Sequence, residues 1–250
     1  IDGLNSAKIQ DPSLVLDFDS FVDYAIIQEL TMNREGYSRS QYWYLDITPV
    51  IPDSPIKSYI GPVWDFNHAF GAFDSTLNTF AYIEYNRFQP CLWNCEMSPA
   101  RIGDGKGLFG NEQFMDLLQI KYQSYRNEGG ILEIENLMNS IMEKYYFLTD
   151  SFAVERDMSR WYRFGRNFYD EFTYLKTFLL ERMKWLDEKW FDTPPKFTYI
   201  LDPVDGVSFY INDVDNIDFT WVSTQDSYFE LRKSGIEEPV VSFIGGGSTF

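Results

Sequence analysis

The chain has 250 residues, of which 44% are hydrophobic and 18% aromatic, and its formal net charge is −17. This amount of apolar surface argues against intrinsic disorder, because burying it offsets the entropy of ordering the chain. The negative charge disfavours binding to nucleic acid and to anionic membrane surfaces, and no apolar run is long enough to span a bilayer. An acidic surface fits a basic partner or, more simply, an exported protein that is kept in solution.

The first predicted element is a helix over residues 19–32, with Asp19 placed to cap its amino terminus. Three apolar residues recur at four-residue spacing and predict one buried face: Val22, Ile26 and Leu30. We expect the helix to end by Gly36. The chain opens at Ile1 without an initiator methionine or a signal peptide, so we interpret it as a mature or excised fragment.

A hairpin is predicted next. Residues 41–45 form a short aromatic strand, residues 46–58 a connection rich in Pro and Asp, and residues 58–64 the returning strand. Residues 72–108 show no clear period and are interpreted as a long structured loop region.

Two cysteines, Cys91 and Cys95, lie in that loop region. Their spacing is too wide for a redox CxxC motif, and a His/Cys metal site is hard to build because the chain has one histidine. A local disulfide and a pair of buried thiols both remain open.

Three further helices follow, each with an apolar stripe that we assign to core packing rather than to cofactor contacts. Asn111 caps the first, Gly129 and Gly130 separate it from the second, and the third covers about residues 170–191. The three stripes are Phe114, Leu117, Leu118 and Tyr122; Leu137, Ile141, Tyr145 and Leu148; and Leu175, Leu179, Met183, Leu186 and Trp190.

The hydrophobic period changes to two after Thr193-Pro194-Pro195, where proline ends the helical pattern. Regular turns separate the predicted strands, which favours a small antiparallel β-sandwich that resembles a fibronectin type III or immunoglobulin-like module. The strands are predicted at 196–201, 206–212, 218–223, 228–234 and 240–245.

Polar residues gather at one end of the predicted hairpin. Asn33, Glu35 and Ser40 follow the first helix, and Asp65 and Asn67 follow the returning strand. Oxygen ligands brought together in this way suit Mg²⁺ or Ca²⁺, and a nearby carboxylate could act as a base. The alternative is that they are ordinary turn-forming and capping residues. His68 could contact a ligand, although a packed or loop position is the commoner role of such a histidine.

These segments together resemble the CotH (spore-coat protein H) kinase family over about residues 10–192. The resemblance rests on DSFVDYAIIQEL (19–30), Asn33-Arg34-Glu35, Tyr42-Trp43-Tyr44 and the specific motif GPVWDFNHAFG (61–71), with SRWYRFG (159–165) fitting the closing region. It implies the mostly helical carboxyl-terminal lobe of an atypical protein-kinase-like fold, in an α+β chain that ends in the all-β module. The predicted domains are therefore residues 1–193 and 194–250.

The resemblance also implies an ATP- and Mg²⁺-dependent transfer of phosphate to protein Ser/Thr, with Mn²⁺ or Ca²⁺ as alternative cations. The resemblance places Glu35 where the family has the catalytic Asp that orients or deprotonates the substrate hydroxyl, Asn33 and Ser40 where it has cofactor-binding residues, and Asp65 and Asn67 where it has metal ligands. A secreted or cell-surface location and a protein substrate or binding partner are expected from the same family.

The sequence departs from the family pattern at two positions, since Glu35 and Asn67 stand where the family has Asp. Ser40 stands where spore-coat members have Asn and many other relatives have Ser. A carboxylate displaced by about 1 Å can cost on the order of a hundredfold in rate. Residues 1–18 are too few for an amino-terminal lobe. We expect that this lobe was removed, that it lies on another chain, or that this fragment cannot hold ATP by itself. A catalytically inactive interaction or scaffold module of an extracellular, polysaccharide-associated protein is the alternative function.

Overall fold

The computed structural model describes residues 11–37, 39–47, 56–71, 81, 107–161, 167–202, 220–225, 227–231 and 241–245. The contacts of the chain fall into two compact units, Ile1–Leu137 and Met138–Phe250. Helices predominate in the described residues, which also contain short antiparallel strand pairs. This content agrees with the predicted α+β class. Cys91, Cys95 and the predicted strand at 206–212 lie outside the described residues.

The described part of the chain contains the following helices and strands, with three short 3₁₀ turns at Pro12–Leu14, Arg34–Tyr37 and Leu108–Gly110. The helices are α1 (Phe18–Thr31), α2 (Glu112–Arg126), α3 (Ile134–Asp150), α4 (Ala153–Arg160) and α5 (Phe168–Trp190). The strands are β1 (Trp43–Leu45), β2 (Ser58–Ile60), β3 (Thr198–Asp202), β4 (Thr220–Ser223), β5 (Ser227–Leu231) and β6 (Val241–Gly245).

Helix α1 is present as predicted, but its ends differ from the prediction. Asp17, not Asp19, caps it, since the Asp17 carboxylate accepts a hydrogen bond from the Ser20 amide at 2.9 Å. The helix ends at Thr31 because Met32 adopts a left-handed conformation with φ 52°. Both ends are therefore set by local backbone geometry, and Gly36 lies in the following 3₁₀ turn.

The core of the first unit forms where α1 meets α2. The Asn111 side chain caps α2 by accepting a hydrogen bond from the Phe114 amide at 3.0 Å. The Phe114 ring lies edge-on to the rings of Phe18 and Phe109, with distances of 5.4 Å and 5.9 Å between ring centroids. Phe114 is fully buried, as are two other members of the predicted α2 stripe, Leu118 and Tyr122. The stripe therefore packs in the core as predicted.

A polar cluster joins the same two helices at the surface. Lys121 lies 3.0 Å from a carboxylate oxygen of Asp19 and 2.9 Å from one of Asp23, and the Tyr125 hydroxyl donates to Asp23 at 2.8 Å. Burial works to lower the pKa of Lys121, but the hydrogen bonds to Asp23 and Asp19 outweigh it and leave that pKa raised. Burial, with the bond to Asp23, also raises the pKa of Tyr125.

The cluster predicts that stability declines at alkaline pH. A group whose pKa is raised by folding stabilises the fold below its unfolded pKa, and that stabilisation is lost as the pH rises through the folded pKa. For Lys121 and Tyr125 this loss begins above about pH 10. We expect the melting temperature to fall less steeply above about pH 10 in Asp23→Asn than in the wild type. Asp116→Asn, at an exposed position of α2, should follow the wild type, and equal slopes in all three proteins would contradict the prediction.

The hairpin is shorter than predicted. Strands β1 and β2 pair antiparallel, with Tyr44 opposite Tyr59 and their rings stacked at 5.3 Å. The opposite face of the hairpin packs on α1, where the Trp43 ring lies 5.2 Å from Phe21. Strand β2 ends at Ile60 and not at residue 64, because Pro62 has no amide hydrogen to continue the ladder. The hairpin thus places residues 61–71 directly after a strand that contacts α1.

In the second unit, α5 is the most deeply buried helix of the described residues. Four members of its predicted stripe are in the core, Leu179, Met183, Leu186 and Trp190. The predicted stripe of α3 behaves differently, since Met138 is the buried residue of that helix and the stripe is only partly covered. Tyr145 and its neighbours on α3 instead line an apolar groove of about 550 Å³ against Phe168 and Phe172 of α5.

The described strands that follow α5 form two antiparallel pairs, β3 with β4 and β5 with β6. Val222 of β4 is buried, and β3 and β4 contact α5. Within the described residues, strands are therefore confirmed at four of the predicted positions, while their assembly into a sandwich stays a prediction.

Among the helices that the structure describes, none is both long enough and apolar enough to cross a bilayer.

Candidate functional site

The candidate site begins in the turn that follows α1, and buried tyrosines attach this turn to the helix. The Tyr24 hydroxyl donates to the backbone carbonyls of Gly36 at 2.7 Å and Ser40 at 3.0 Å, and Tyr37 donates to the Ala25 carbonyl at 3.1 Å. Burial raises the pKa of Tyr24 well above its ordinary value, so the hydroxyl stays protonated as a donor. The turn is therefore held rigidly against α1.

Gly36 allows the turn to lie this close to the helix. A Cβ atom at this position would overlap the side-chain amide of Gln28, which is itself fully buried. A larger residue here would therefore require the buried Gln28 amide to shift, whereas glycine fits the turn as it stands.

Two residues predicted to bind a cofactor are buried in this turn. Asn33 has no solvent-exposed surface and Ser40 has only 5%. The Asn33 amide nitrogen Nδ2 donates to the backbone carbonyl of Asp65 at 3.2 Å. The contact brings together the two polar clusters that the sequence places 32 positions apart.

The segment 61–71 is anchored to α1 at a second point. The Phe70 amide donates to the carbonyl of Thr31, the last residue of α1, at 2.7 Å. Asp65 and Phe70 both have left-handed backbones, with φ 59° and 56°. Such conformations are uncommon outside glycine and persist where surrounding contacts hold them, often at functional sites.

Glu35 lies in a partly covered position, with its side chain 13% exposed. Its Oε1 atom is 3.5 Å from Nδ1 of His68 and 3.6 Å from Nη1 of Arg39. His68 thus reaches the predicted catalytic carboxylate, a contact that sequence reasoning did not favour. One feature of the sequence could have indicated the contact between Glu35 and His68. Glu is one methylene group longer than Asp, and the loop that contains Glu35 was expected to face the motif that contains His68.

The predicted metal ligands are more open. Asp65 is partly exposed and Asn67 is exposed. Within the described ranges, no group of three or more His, Cys, Asp or Glu side chains is close enough to hold a metal ion. Mg²⁺ in phosphate-transferring sites is commonly bound by one or two carboxylates together with substrate phosphates. The donor set therefore fits a cation bound jointly with a nucleotide and does not fit one enclosed by protein ligands alone.

Glu29 is a buried carboxylate near the site that sequence reasoning did not single out. It has no exposed surface, and its Oε2 atom accepts a hydrogen bond from the Ala81 amide at 2.8 Å. Carboxylates are rarely buried unless they are hydrogen-bonded or paired. Glu29 therefore ties a residue of the region after the motif to the helix that carries the candidate site.

The comparison with protein families matches the predicted resemblance. The family described as CotH kinase protein matches residues 6–186, so the chain belongs to the CotH kinase family. No curated protein and no solved structure gives a significant match.

Proposed function

We propose that this chain contributes a kinase-like domain that transfers a phosphoryl group from ATP, with Mg²⁺, to a Ser or Thr hydroxyl of a protein. The observation that supports the proposal is the position of the Glu35 turn and of Asp65 side by side at the end of α1. Membership of the CotH kinase family supports a kinase-like domain. The domain would correspond to the carboxyl-terminal lobe of an atypical kinase-like fold.

Glu35 is proposed as the base. Its carboxylate would accept the proton of the acceptor hydroxyl while the hydroxyl oxygen bonds to the γ-phosphorus and ADP leaves. Arg39 and His68, within 3.6 Å of Oε1, would restrict the carboxylate to one position. Positioning of this kind accounts for much of the catalysis in phosphoryl transfer, where the protein does little covalent chemistry.

Asp65 and Asn67 are proposed to hold the cation, and Ser40 lies in the turn that would border the nucleotide. Mg²⁺ bound with ATP neutralises negative charge on the phosphates during transfer. Asp65 supplies the charged ligand, because Asn67 is neutral where the family has a carboxylate. Cation affinity rises with ligand charge, so binding is expected to be weaker than in family members with two carboxylates.

A thermal-shift series tests the proposal. The complete chain is melted alone, with ATP, with each of Mg²⁺, Mn²⁺ and Ca²⁺, and with ATP and each cation together. We expect the melting temperature to rise when ATP and Mg²⁺ or Mn²⁺ are both present, because a ligand that binds the folded state stabilises it. Transfer of labelled phosphate to a generic basic protein acceptor is then measured under the same conditions. No shift and no transfer in any combination would refute the assignment.

An inactive interaction module is the second candidate, and a specific observation favours it. The hairpin and the residue before Asp65 expose large aromatic side chains, since Tyr42, Tyr44 and Trp64 are 49%, 53% and 54% exposed. Exposed aromatic groups of this kind often mark binding surfaces. This function predicts no cation-dependent shift with ATP. In both cases we propose an exported or surface protein, with the strands after α5 forming a fibronectin type III-like spacer.

A further inference from the structure

We propose that Asn33 is a positioning residue which fixes the backbone of Asp65, and not a cofactor ligand as the family resemblance implies. The inference rests on the proposed function for its catalytic meaning. Its structural content, that the Asn33 side chain sets the conformation of Asp65, can be tested without any ligand.

Burial supports this assignment. The Asn33 side chain has no exposed surface, and its Nδ2 atom is already used in the bond to the Asp65 carbonyl. Its Oδ1 atom is also buried and has no hydrogen-bond partner among the described residues. A side chain enclosed in this way would have to leave its site to reach a nucleotide or a cation at the exposed side of Asp65.

The backbone of the motif explains why such a contact matters. Asp65 and Phe70 are both left-handed, and each lies at a point where the segment is bonded to the end of α1. Thr31 holds the Phe70 amide and Asn33 holds the Asp65 carbonyl. With both bonds the segment is fixed at two points five residues apart in sequence. Without the Asn33 bond, Asp65 is free to return to a commoner backbone conformation, which would redirect its carboxylate.

The test compares two substitutions at the same end of α1 in the complete chain. Asn33→Leu removes the donor and keeps the same branched side-chain skeleton. Gln28→Met removes a fully buried amide that has no hydrogen-bond partner among the described residues. Two quantities are measured in each protein: the NMR backbone chemical shifts of Asp65, and the affinity for Mn²⁺ with a non-hydrolysable ATP analogue by electron paramagnetic resonance.

We expect Asn33→Leu to move the Asp65 shifts away from left-handed values and to weaken Mn²⁺ binding by about tenfold or more, as loss of a ligand-orienting partner does. Gln28→Met should retain the wild-type shifts and affinity. If Asn33→Leu does not fold, Asn33→Ser, whose hydroxyl is too short to span the contact, is measured in the same way.

Three results would overturn the proposal. In the first, Asn33→Leu keeps wild-type shifts and affinity. In the second, both substitutions weaken Mn²⁺ binding equally, which would indicate a general loss of stability. In the third, Mn²⁺ binding weakens while the Asp65 shifts stay unchanged, which would make Asn33 itself a ligand. If the wild type binds no Mn²⁺ with the analogue, the proposed function fails, and the Asp65 shifts alone decide whether Asn33 is a positioning residue.

Discussion

Asp65→Ala is expected to reduce phosphate transfer by at least about a hundredfold, because losing the proposed direct metal ligand should cost more than losing a residue that orients it. Asp65 is the one carboxylate that this chain retains from the proposed metal-binding motif, and the neutral Asn67 cannot compensate for its charge. Initial rates are measured at fixed ATP over a range of Mn²⁺ concentrations. The variant should also lose the cation-dependent rise in melting temperature.

Asp116→Ala is the matched control for this experiment. It removes an exposed carboxylate from α2, in the same unit, without touching the candidate site. The control should keep the wild-type rate and thermal shift. Transfer at the wild-type rate in Asp65→Ala would show that the cation is bound elsewhere and would remove the basis of the proposed site.

Phe114→Ala is expected to destabilise the first unit by about 3–5 kcal/mol. The Phe114 ring is fully buried and lies edge-on to both Phe18 and Phe109, so truncation leaves a cavity between α1 and α2. Because a chain with two units need not unfold in a single step, the change is best measured by native-state hydrogen exchange. The slowly exchanging amides of α2 should lose a corresponding amount of protection.

Ile120→Ala provides the control on the same helix. Ile120 is 64% exposed, and exposed substitutions of this kind usually change stability by no more than about 0.5 kcal/mol. Equal loss of protection in the two variants would mean that packing of Phe114 on α1 is not what stabilises the unit.

The pairing of Glu35 with His68 gives one of the departures from the family pattern a structural context. Oε1 of Glu35 lies 3.5 Å from Nδ1 of His68, in a motif position immediately after Asn67. The sequence alone suggested that a carboxylate moved by one methylene group would be misplaced. In the structure the Glu35 carboxylate has His68 as a neighbour. Glu in place of Asp therefore does not leave this carboxylate without a contact.

Periodicity in the sequence was sufficient for several elements because it depends on local geometry. The stripes of α2 and α5, the Asn111 cap and the order of hairpin and motif were predicted from spacing and are found in the structure. The family assignment also came from local motifs, whose residue types and spacing can be read along the chain. The prediction was wrong where two residues could each cap a helix. Asp19 was predicted to cap α1, but Asp17 does so.

Tertiary structure decided the surroundings of the candidate site residues. Nothing in the sequence distinguishes a buried Asn33 from an exposed ligand, because its environment depends on Asp65, 32 positions away. The α3 stripe has the spacing of a core helix, yet it is only partly covered, since burial depends on what packs against it. Local pattern thus determined which elements form and to which family the chain belongs. Contacts between distant segments determined which polar groups are enclosed as structural supports and which remain open to a ligand.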